Sequence, residues 1–230
     1  MTARWTGKDI EDQTGRIVIV TGSNSGIGYE TARELARKGA HVIMACRSTE
    51  KAEEAAERIR SEGPSGAVEV ARLDLASLDS IREFAGGFLK AHDRLDLLIA
   101  NAGVMMPPEK NETADGFELQ MGTNHLGHFA LVGLLQKRLV ATKGSRVVVV
   151  SSMAHKYGTI DIDDLNWESR PYARMKSYGQ SKLANLLFAY ELQRRLEQAG
   201  ADTIVAAAHP GWTATNLQRD AGLFRLLNPL

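Results

Sequence analysis

The sequence predicts an α/β protein in which a doubly wound parallel sheet lies between two layers of helices. Three observations support this fold class. Short, almost purely apolar runs recur along the chain, which is typical of strands buried on both faces of a parallel sheet. Amphipathic stretches long enough for helices separate these runs. A glycine-rich turn, Gly22–Gly28, joins the first apolar run to the first amphipathic stretch.

Six apolar runs are predicted to be the strands of the sheet. The run RVVVV is unusually pure, since a strand with one wet face would alternate apolar and polar residues. In chain order the predicted strands are Arg16–Thr21, His41–Ala45, Ala67–Leu73, Leu95–Ala100, Arg146–Val150 and Thr203–Ala208.

Five helices are predicted between and after these strands. The first ends at Gly39, a residue type common just after a helix, and the second stops before Gly63-Pro64. The predicted helices are Tyr29–Lys38, Glu50–Glu62, Leu78–Ala91, Phe117–Val140 and Tyr178–Ala199. A polar loop is predicted over Met153–Lys176.

The composition argues against several classes of partner. The chain has 28 Lys and Arg and 28 Asp and Glu residues, so its formal net charge is zero. A protein that binds nucleic acid needs a basic surface, so no nucleic-acid partner is predicted. The single cysteine, Cys46, allows no internal disulfide and completes no Cys/His metal site, so no metal is expected.

The chain is predicted to be one cytoplasmic domain covering residues 1–230. No repeat or linker divides the 230 residues. Met1–Gln13 is polar and lacks the apolar centre of a signal peptide. No stretch reaches the roughly 18 apolar residues of a membrane span, so none is expected.

The glycine-rich turn predicts a site for a dinucleotide. Glycines let the backbone approach a pyrophosphate closely, and the helix that follows offers unpaired N–H groups. The spacing is G-x-x-x-G-x-G, and the alternative is a glycine-rich turn without a ligand. The expected contacts are Gly22, Ser23, Asn24, Ser25, Gly26, Ile27 and Gly28.

The end of the second predicted strand indicates which dinucleotide binds. An acidic residue there would bind the ribose 2′-hydroxyl of NAD, but this strand is followed by Arg47 and Ser48. Arg47 offers charge-assisted hydrogen bonds to a 2′-phosphate, and Ser48 adds a hydroxyl. NADP(H) is therefore favoured and NAD(H) is the alternative, since Arg47 could also be an ordinary solvated arginine.

Further motifs follow the predicted strands in order. They are Thr21–Gly28 (TGSNSGIG), Asp74-Leu75, Asn101-Ala102-Gly103, Asn124, Ser151-Ser152, Tyr178-Gly179-Gln180-Ser181-Lys182, Pro210-Gly211, Thr213 and Thr215. With these motifs the chain resembles the short-chain dehydrogenase/reductase family, which has a Rossmann fold, from Thr14 to Asn216. Asp115–Phe129 and the long interval between Ser152 and Tyr178 resemble its retinol-dehydrogenase-like and protochlorophyllide-reductase-like branch.

The resemblance implies roles for four side chains. Tyr178 would be the general acid/base, and Lys182 would tune its pKa and bind the ribose. Ser152 would hydrogen-bond the substrate oxygen, and Asn124 would hold a water that relays protons. Tyr178 and Lys182 are four residues apart and share a helix face, so the ammonium is expected to lower the pKa of Tyr178. The alternative is a half-buried aromatic beside a lysine. Only one of Ser151 and Ser152 can face the site, and the family's register favours Ser152.

The resemblance also implies further cofactor contacts. Asp74 and Leu75 would lie on the adenine side, and the backbone of Asn101, Ala102 and Gly103 near the ribose, together with Tyr178 and Lys182. The contacts expected near the nicotinamide carboxamide and the pyrophosphate are Pro210, Gly211, Thr213 and Thr215.

The predicted function is NADP(H)-dependent oxidoreduction between an apolar aldehyde or ketone, as small-molecule substrate, and its alcohol. A sugar-nucleotide epimerase or dehydratase shares the first turn and Y-x-x-x-K, but the chain's length and Asn101–Gly103 count against it. A scaffold or sensor that binds NADP(H) without catalysis is the other alternative, and the set Ser152, Tyr178 and Lys182 counts against it.

Some expectations concern assembly and neighbouring residues. The family commonly pairs through two helices, here 117–140 and 178–198, so a homodimer or homotetramer is predicted. The chain ends soon after Asn216, so we expect it to be short at its C-terminus compared with its branch. Met105-Met106 is expected either to line an apolar pocket or to be core, and His125 and His128 are expected to pack or line a cavity.

Overall fold

A computed structural model describes residues 5–211 of the chain. Its six strands form one parallel sheet in the order β3-β2-β1-β4-β5-β6. They are β1 Ile17–Thr21, β2 His41–Cys46, β3 Val68–Arg72, β4 Leu97–Ala100, β5 Arg146–Val150 and β6 Ile204–Ala208. The predicted fold class and all six strands are confirmed. The order reverses between β1 and β4, and the crevice outside the carboxyl ends of strands at such a point is where α/β sheets bind ligands.

Helices connect the strands and cover both faces of the sheet. They are α1 Gly26–Arg37, α2 Thr49–Ser61, α3 Leu78–Ala91, α4 Leu119–Met121, α5 Gly127–Ala141 and α6 Arg174–Gln198. A π-helical turn, Gly122–Leu126, joins α4 to α5.

The buried core has two parts because successive residues of a strand point to opposite faces. In β1, Val18 and Val20 pack on one face with α1 and α2, through Ala36 and Ile59. Ile19 packs on the other face, where α3, α5 and α6 contribute the buried side chains. The pure apolar runs of the sequence therefore reflect burial on both sides.

Two predicted helices and the loop between them differ from the structure. One continuous helix was expected over Phe117–Val140, and this was wrong. The helical stretch begins at Leu119 and is interrupted by the π-helical turn between α4 and α5. The expected loop Met153–Lys176 contains a 3-10 turn at Met153–Tyr157, and α6 begins at Arg174 rather than Tyr178. In the first turn of α6 the carbonyl of Arg174 accepts a hydrogen bond from the buried amide of Gln120.

Within residues 5–211, none of the helices combines the length and apolar character needed to cross a membrane.

Candidate active site

The glycine-rich turn after β1 is tightly packed against the loop after β4. Gly22 and Gly26 have positive φ angles of 65° and 57°, which glycine adopts at no steric cost. A Cβ atom at Gly22 would lie 2.8 Å from the Cβ of Ala102, and one at Gly28 would lie 2.5 Å from the carbonyl oxygen of Gly22. Only glycine fits at these two points, so the turn packs directly against the loop after β4.

The turn ends at the N-terminus of α1, whose dipole favours an anion. In the described part of the chain the side chain of Ser25, the N-cap residue, makes no capping hydrogen bond. Ser23 is fully buried and its hydroxyl donates to the carbonyl of Val20 at 3.0 Å, so it braces the turn itself. Asn24 and Ile27 are partly exposed in the same turn.

The predicted adenine-side residues lie at the ends of β2 and β3. Arg47 is exposed at the end of β2, and Ser48 is the N-cap of α2, where its hydroxyl accepts from Lys51 N at 3.4 Å. Asp74 is partly buried and accepts from Ala76 N at 3.0 Å, and Leu75 is buried. The strand order therefore brings these residues to the same edge of the sheet as the glycine-rich turn.

The loop after β4 is fixed to β1 by hydrogen bonds. The backbone N–H groups of Asn101 and Ala102 each donate to the hydroxyl of Thr21 at 3.0 Å. The side chain of Asn101 donates to the carbonyl of Thr21 at 2.8 Å. The role of the Thr21 hydroxyl was not predicted; its sequence signal is a threonine at the last position of a buried strand, just before the glycines.

The two serines after β5 point in opposite directions. Ser151 is buried, and its hydroxyl donates to the carbonyl of Lys182 at 2.8 Å. Ser152 points to the other side, where its hydroxyl hydrogen-bonds Tyr178 and accepts from Ala154 N at 3.2 Å. The structure therefore places Ser152, and not Ser151, beside the tyrosine.

Tyr178 and Lys182 lie one turn apart on α6 and both are buried. The Lys182 Nζ is 5.6 Å from the centre of the Tyr178 ring and donates to the carbonyl of Val150 at 3.1 Å. Asn185, one turn further on, donates to the same carbonyl at 3.2 Å. Asn185 was not predicted; its spacing of three residues from Lys182 was the available signal.

Burial dominates the pKa values of this pair. It lowers the pKa of Lys182 to about 8, because the ammonium is removed from water. It also raises the pKa of Tyr178 above its usual value, and the hydrogen bond with Ser152 offsets only part of that rise. The predicted lowering of the Tyr178 pKa by the ammonium is therefore not observed, because desolvation outweighs any such effect.

Asn124 lies fully buried in the π-helical turn. Its side-chain oxygen accepts from Val104 N at 2.7 Å, and its side-chain nitrogen donates to the Val104 carbonyl at 3.0 Å. The same nitrogen donates to the hydroxyl of Ser181 at 2.9 Å. The amide therefore connects the loop after β4 to α6, within one turn of Tyr178.

An apolar wall packs against Tyr178. It consists of Met105, Met106, Ala154 and Met175. Met106 is buried with a φ angle of 50°, unusual for a residue with a side chain, and its N–H donates to Gln120 at 2.7 Å. Gln120 was not predicted as a site residue, because a polar side chain at that position resembles a solvated helix residue in sequence.

The remaining predicted residues fall at the end of β6 or have packing roles. Pro210 and Gly211 follow β6 at the carboxyl edge, and Thr213 and Thr215 lie outside the described residues. His125 contacts the rings of Phe129 and Phe188. Among the residues that the structure describes, no three His, Cys, Asp or Glu side chains form a group that could hold a metal.

Comparison with known proteins places the chain in a family. The family model "short chain dehydrogenase" matches residues 16–164. Retinol dehydrogenase 13 of Homo sapiens is 52% identical over 209 residues, which are 91% of this chain and 62% of that protein. Retinol dehydrogenase 12 of Homo sapiens is 50% identical over 213 residues, 93% of this chain and 66% of that protein. The chain thus spans less than two thirds of the length of these relatives.

Solved structures give the same result. A crystal structure of a protein from Mycobacterium Paratuberculosis has a TM-score of 0.82 and 53% identity, covering 94% of this chain and 76% of that one. The NADP complex of Pseudomonas aeruginosa RhlG has a TM-score of 0.74 and 25% identity, covering 95% of this chain and 79% of that one. The chain belongs to the short-chain dehydrogenase/reductase family, in the branch that contains the retinol dehydrogenases.

Proposed function

We propose that this chain is an NADP(H)-dependent oxidoreductase that interconverts an aldehyde or ketone and its alcohol. One observation carries the proposal: Ser152, Tyr178 and Lys182 meet at the carboxyl edge of the sheet, beside the glycine-rich turn. A buried phenol with a hydroxyl on one side and an ammonium near its ring is suited to proton transfer at a substrate oxygen.

The residues at this edge fit a dinucleotide. Gly22 and Gly28 have no room for a Cβ atom, so the turn stays tight, and the N-terminus of α1 would favour the pyrophosphate. Asp74 would contact the adenosine, and Asn101–Gly103 with Lys182 would contact the ribose next to the nicotinamide. When bound, the nicotinamide ring supplies or accepts the hydride.

Each member of the set has a separate task in carbonyl reduction. The raised pKa of Tyr178 keeps its phenol protonated at neutral pH, so Oη can donate a proton to the substrate oxygen. The Ser152 hydroxyl donates to the same oxygen and orients it. Lys182 favours the phenolate that remains after transfer. The side-chain amide of Asn124 is used by Val104 and Ser181, so its part in a proton relay would come from its backbone carbonyl oxygen, which also accepts from His128 Nδ1.

The preference for NADP(H) rests on Arg47. It is exposed at the end of β2, where a 2′-phosphate would lie, and no carboxylate accompanies it in the stretch Ala45–Ser48. Two structural relatives, RhlG and a metagenomic short-chain oxidoreductase, are complexes with NADP. NAD(H) remains the alternative cofactor.

An apolar carbonyl compound is the proposed substrate class. The wall of Met105, Met106, Ala154 and Met175 beside Tyr178 offers flexible apolar side chains to a hydrocarbon substrate. The named relatives are retinol dehydrogenases, so a retinoid aldehyde or alcohol is the first compound to test.

Cofactor titration tests the first half of the proposal without any substrate. Calorimetry should show tighter binding of NADPH than of NADH. Arg47→Glu should weaken NADPH binding by at least tenfold and spare NADH, while Lys143→Glu, an exposed change between α5 and β5, should alter neither. A wild-type preference for NADH would contradict the role of Arg47, and binding of neither would contradict the proposed function.

Turnover tests the second half and separates the alternatives. Oxidation of NADPH should accelerate with all-trans-retinal, and Tyr178→Phe should reduce the rate by about a hundredfold or more while leaving NADPH affinity within a fewfold. A scaffold or sensor would bind NADPH with no turnover of any aldehyde, and Tyr178→Phe would change nothing. An epimerase would convert a nucleotide sugar without net consumption of NADPH.

We also propose that the chain pairs through α5 and α6 as a homodimer or homotetramer. Exposed apolar side chains lie on these helices: Phe129, Leu134, Val140, Leu187 and Tyr190. Light scattering that gave the mass of a single chain would contradict this assembly. The expected cytoplasmic location stays a prediction.

A further inference from the structure

His128 connects two parts of the candidate site that come from distant segments of the chain. The ring is buried, with 1% of its surface exposed, in the first turn of α5. Its Nδ1 lies 3.0 Å from the carbonyl oxygen of Asn124 in the π-helical turn, and its Nε2 lies 2.9 Å from the hydroxyl of Thr21 at the end of β1.

The partners determine where the proton on the ring lies. A carbonyl oxygen only accepts, so Nδ1 must donate to Asn124. Burial lowers the pKa of His128 to about 4, so the neutral ring carries a single proton and Nε2 must accept. The hydroxyl of Thr21 therefore donates to Nε2 rather than to the more distant Ile99 carbonyl at 3.3 Å.

This orientation leaves the oxygen of Thr21 free to accept from the loop after β4. The N–H groups of Asn101 and Ala102 both donate to it, at 3.0 Å each. On the other side of the loop, the side chain of Asn124 holds both backbone groups of Val104. The loop 101–104 is thus hydrogen-bonded at both ends, and His128 connects Thr21 at one end to Asn124 at the other.

The position of this loop matters for both halves of the site. A Cβ atom at Gly103 would lie 3.0 Å from Asn124 Oδ1 and 3.7 Å from Lys182 Nζ, so the loop passes against the buried ammonium. Ala102 packs against Gly22 in the glycine-rich turn. A shift of the loop would therefore change the distance between the cofactor-binding turn and Lys182.

We propose that His128 is a positioning residue that holds loop 101–104 through Thr21 and Asn124, and thereby couples the glycine-rich turn to the Tyr178 and Lys182 pair. The coupling to cofactor binding rests on the function proposed above. The holding of the loop does not, because it is a property of the chain by itself.

Variants of His128 distinguish its hydrogen-bonding role from simple filling of space in the core. His128→Asn places an amide nitrogen near the position of Nδ1 and keeps the donor to Asn124, but it loses the contact with Thr21. His128→Gln places its amide oxygen near Nε2 and keeps an acceptor for Thr21. His128→Phe fills the volume and keeps neither. His125→Gln is the matched control, because His125 bonds Asn185 on α6 and not the loop.

The first experiment needs no cofactor. Nitrogen NMR of the wild type should show the neutral ring of His128 protonated at Nδ1. Hydrogen exchange of the Asn101 and Ala102 amides should accelerate by about tenfold in His128→Asn and His128→Phe, less in His128→Gln, and not in His125→Gln. A ring protonated at Nε2, or unchanged exchange in His128→Phe, would overturn the proposal.

The second experiment measures the coupling. The NADPH dissociation constant should rise by about tenfold in His128→Phe and His128→Asn, and His128→Gln should restore part of the affinity. Equal affinity in all these variants would overturn the coupling. If the wild type bound no dinucleotide, the proposed function would fail, and the exchange data would still decide whether His128 holds the loop.

Discussion

The ammonium of Lys182 lies 3.1 Å from the carbonyl oxygen of Val150, and Asn185 donates to the same carbonyl at 3.2 Å. Val150 therefore keeps a donor even if the lysine is removed. The lysine, by contrast, is 3% exposed and has lost most of its hydration. Burial of the Lys182 charge therefore lowers the free energy of unfolding when no cofactor is bound.

We predict that Lys182→Met stabilises the chain while abolishing catalysis. Lys182 has a pKa of about 8 when folded and the usual lysine pKa of 10.5 when unfolded, so the unfolded chain binds more protons between these values. Burial of the charged lysine therefore lowers the free energy of unfolding by about 3 kcal/mol at all pH values below 8. This loss disappears as the pH rises from 8 towards the pKa of the unfolded lysine.

Urea unfolding at pH 7 and at high pH measures this effect. The free energy of unfolding of Lys182→Met should exceed that of the wild type by about 2 to 3 kcal/mol at pH 7, and the difference should shrink in alkali. Lys143→Met, an exposed change between α5 and β5, should follow the wild type at both pH values. Destabilisation by Lys182→Met at pH 7 would show that the bond to Val150 outweighs desolvation.

We predict that burial of His128 makes the free energy of unfolding fall in weak acid. Its pKa of about 4 when folded lies below the usual histidine pKa of 6.5, so the unfolded chain takes up a proton first as the pH falls. The free energy of unfolding should therefore decrease between about pH 6.5 and pH 4, by about 3 kcal/mol in total. The cause is burial, with small opposing or additional effects from Asn124, Lys182 and His125.

The comparison with His128→Gln isolates this contribution, because other groups titrate equally in both proteins. Unfolding curves at several pH values should show a shallower acid slope for His128→Gln between pH 6.5 and pH 4. Parallel slopes would mean that His128 titrates normally and is not sealed from water.

The fold was predictable because burial on both faces of a parallel sheet leaves a simple pattern in the sequence. Val18, Ile19 and Val20 are apolar in succession since alternate residues enter different core clusters. The π-helical turn at Gly122–Leu126 was not predictable in this way. A helix and a helix with a wider turn have nearly the same apolar spacing, so periodicity does not distinguish them.

The site was predictable where a residue follows a strand and not where its direction depends on packing. Arg47, Asn101 and Ser152 are found at strand ends, as the motifs indicate. The resemblance to the family already favoured Ser152 over Ser151, and the structure adds that the Ser151 hydroxyl is bound by the carbonyl of Lys182 on α6. The direction of the Tyr178 pKa shift was not predictable either. The pKa is raised by burial, and side chains far away in the sequence, such as Met105 and Met106, contribute to that burial.

The two serines after β5 give a prediction with its own internal control. Ser152→Ala should lower turnover by about a hundredfold, through loss of a donor to the substrate oxygen, and should raise the pKa seen in the pH profile of alcohol oxidation. Ser151→Ala should instead reduce the free energy of unfolding by about 1 kcal/mol, through loss of its bond to Lys182, with turnover within a fewfold of wild type. Reversed effects would assign the proposed role to Ser151.

Two glycines of α5 test how closely that helix approaches the predicted adenine-side loop. A Cβ atom at Gly127 would overlap the carbonyl oxygen of Leu75 and lie 3.1 Å from its Cβ, whereas one at Gly133 would meet no described atom within 4 Å. Gly127→Ala should therefore cost about 1 to 3 kcal/mol of the free energy of unfolding and weaken NADPH binding, because backbone must move beside Asp74. Gly133→Ala should stabilise α5 by about 0.5 to 1 kcal/mol. Since both changes add the same methyl group to the same helix, equal effects in urea unfolding would mean that α5 does not touch the Asp74–Leu75 loop.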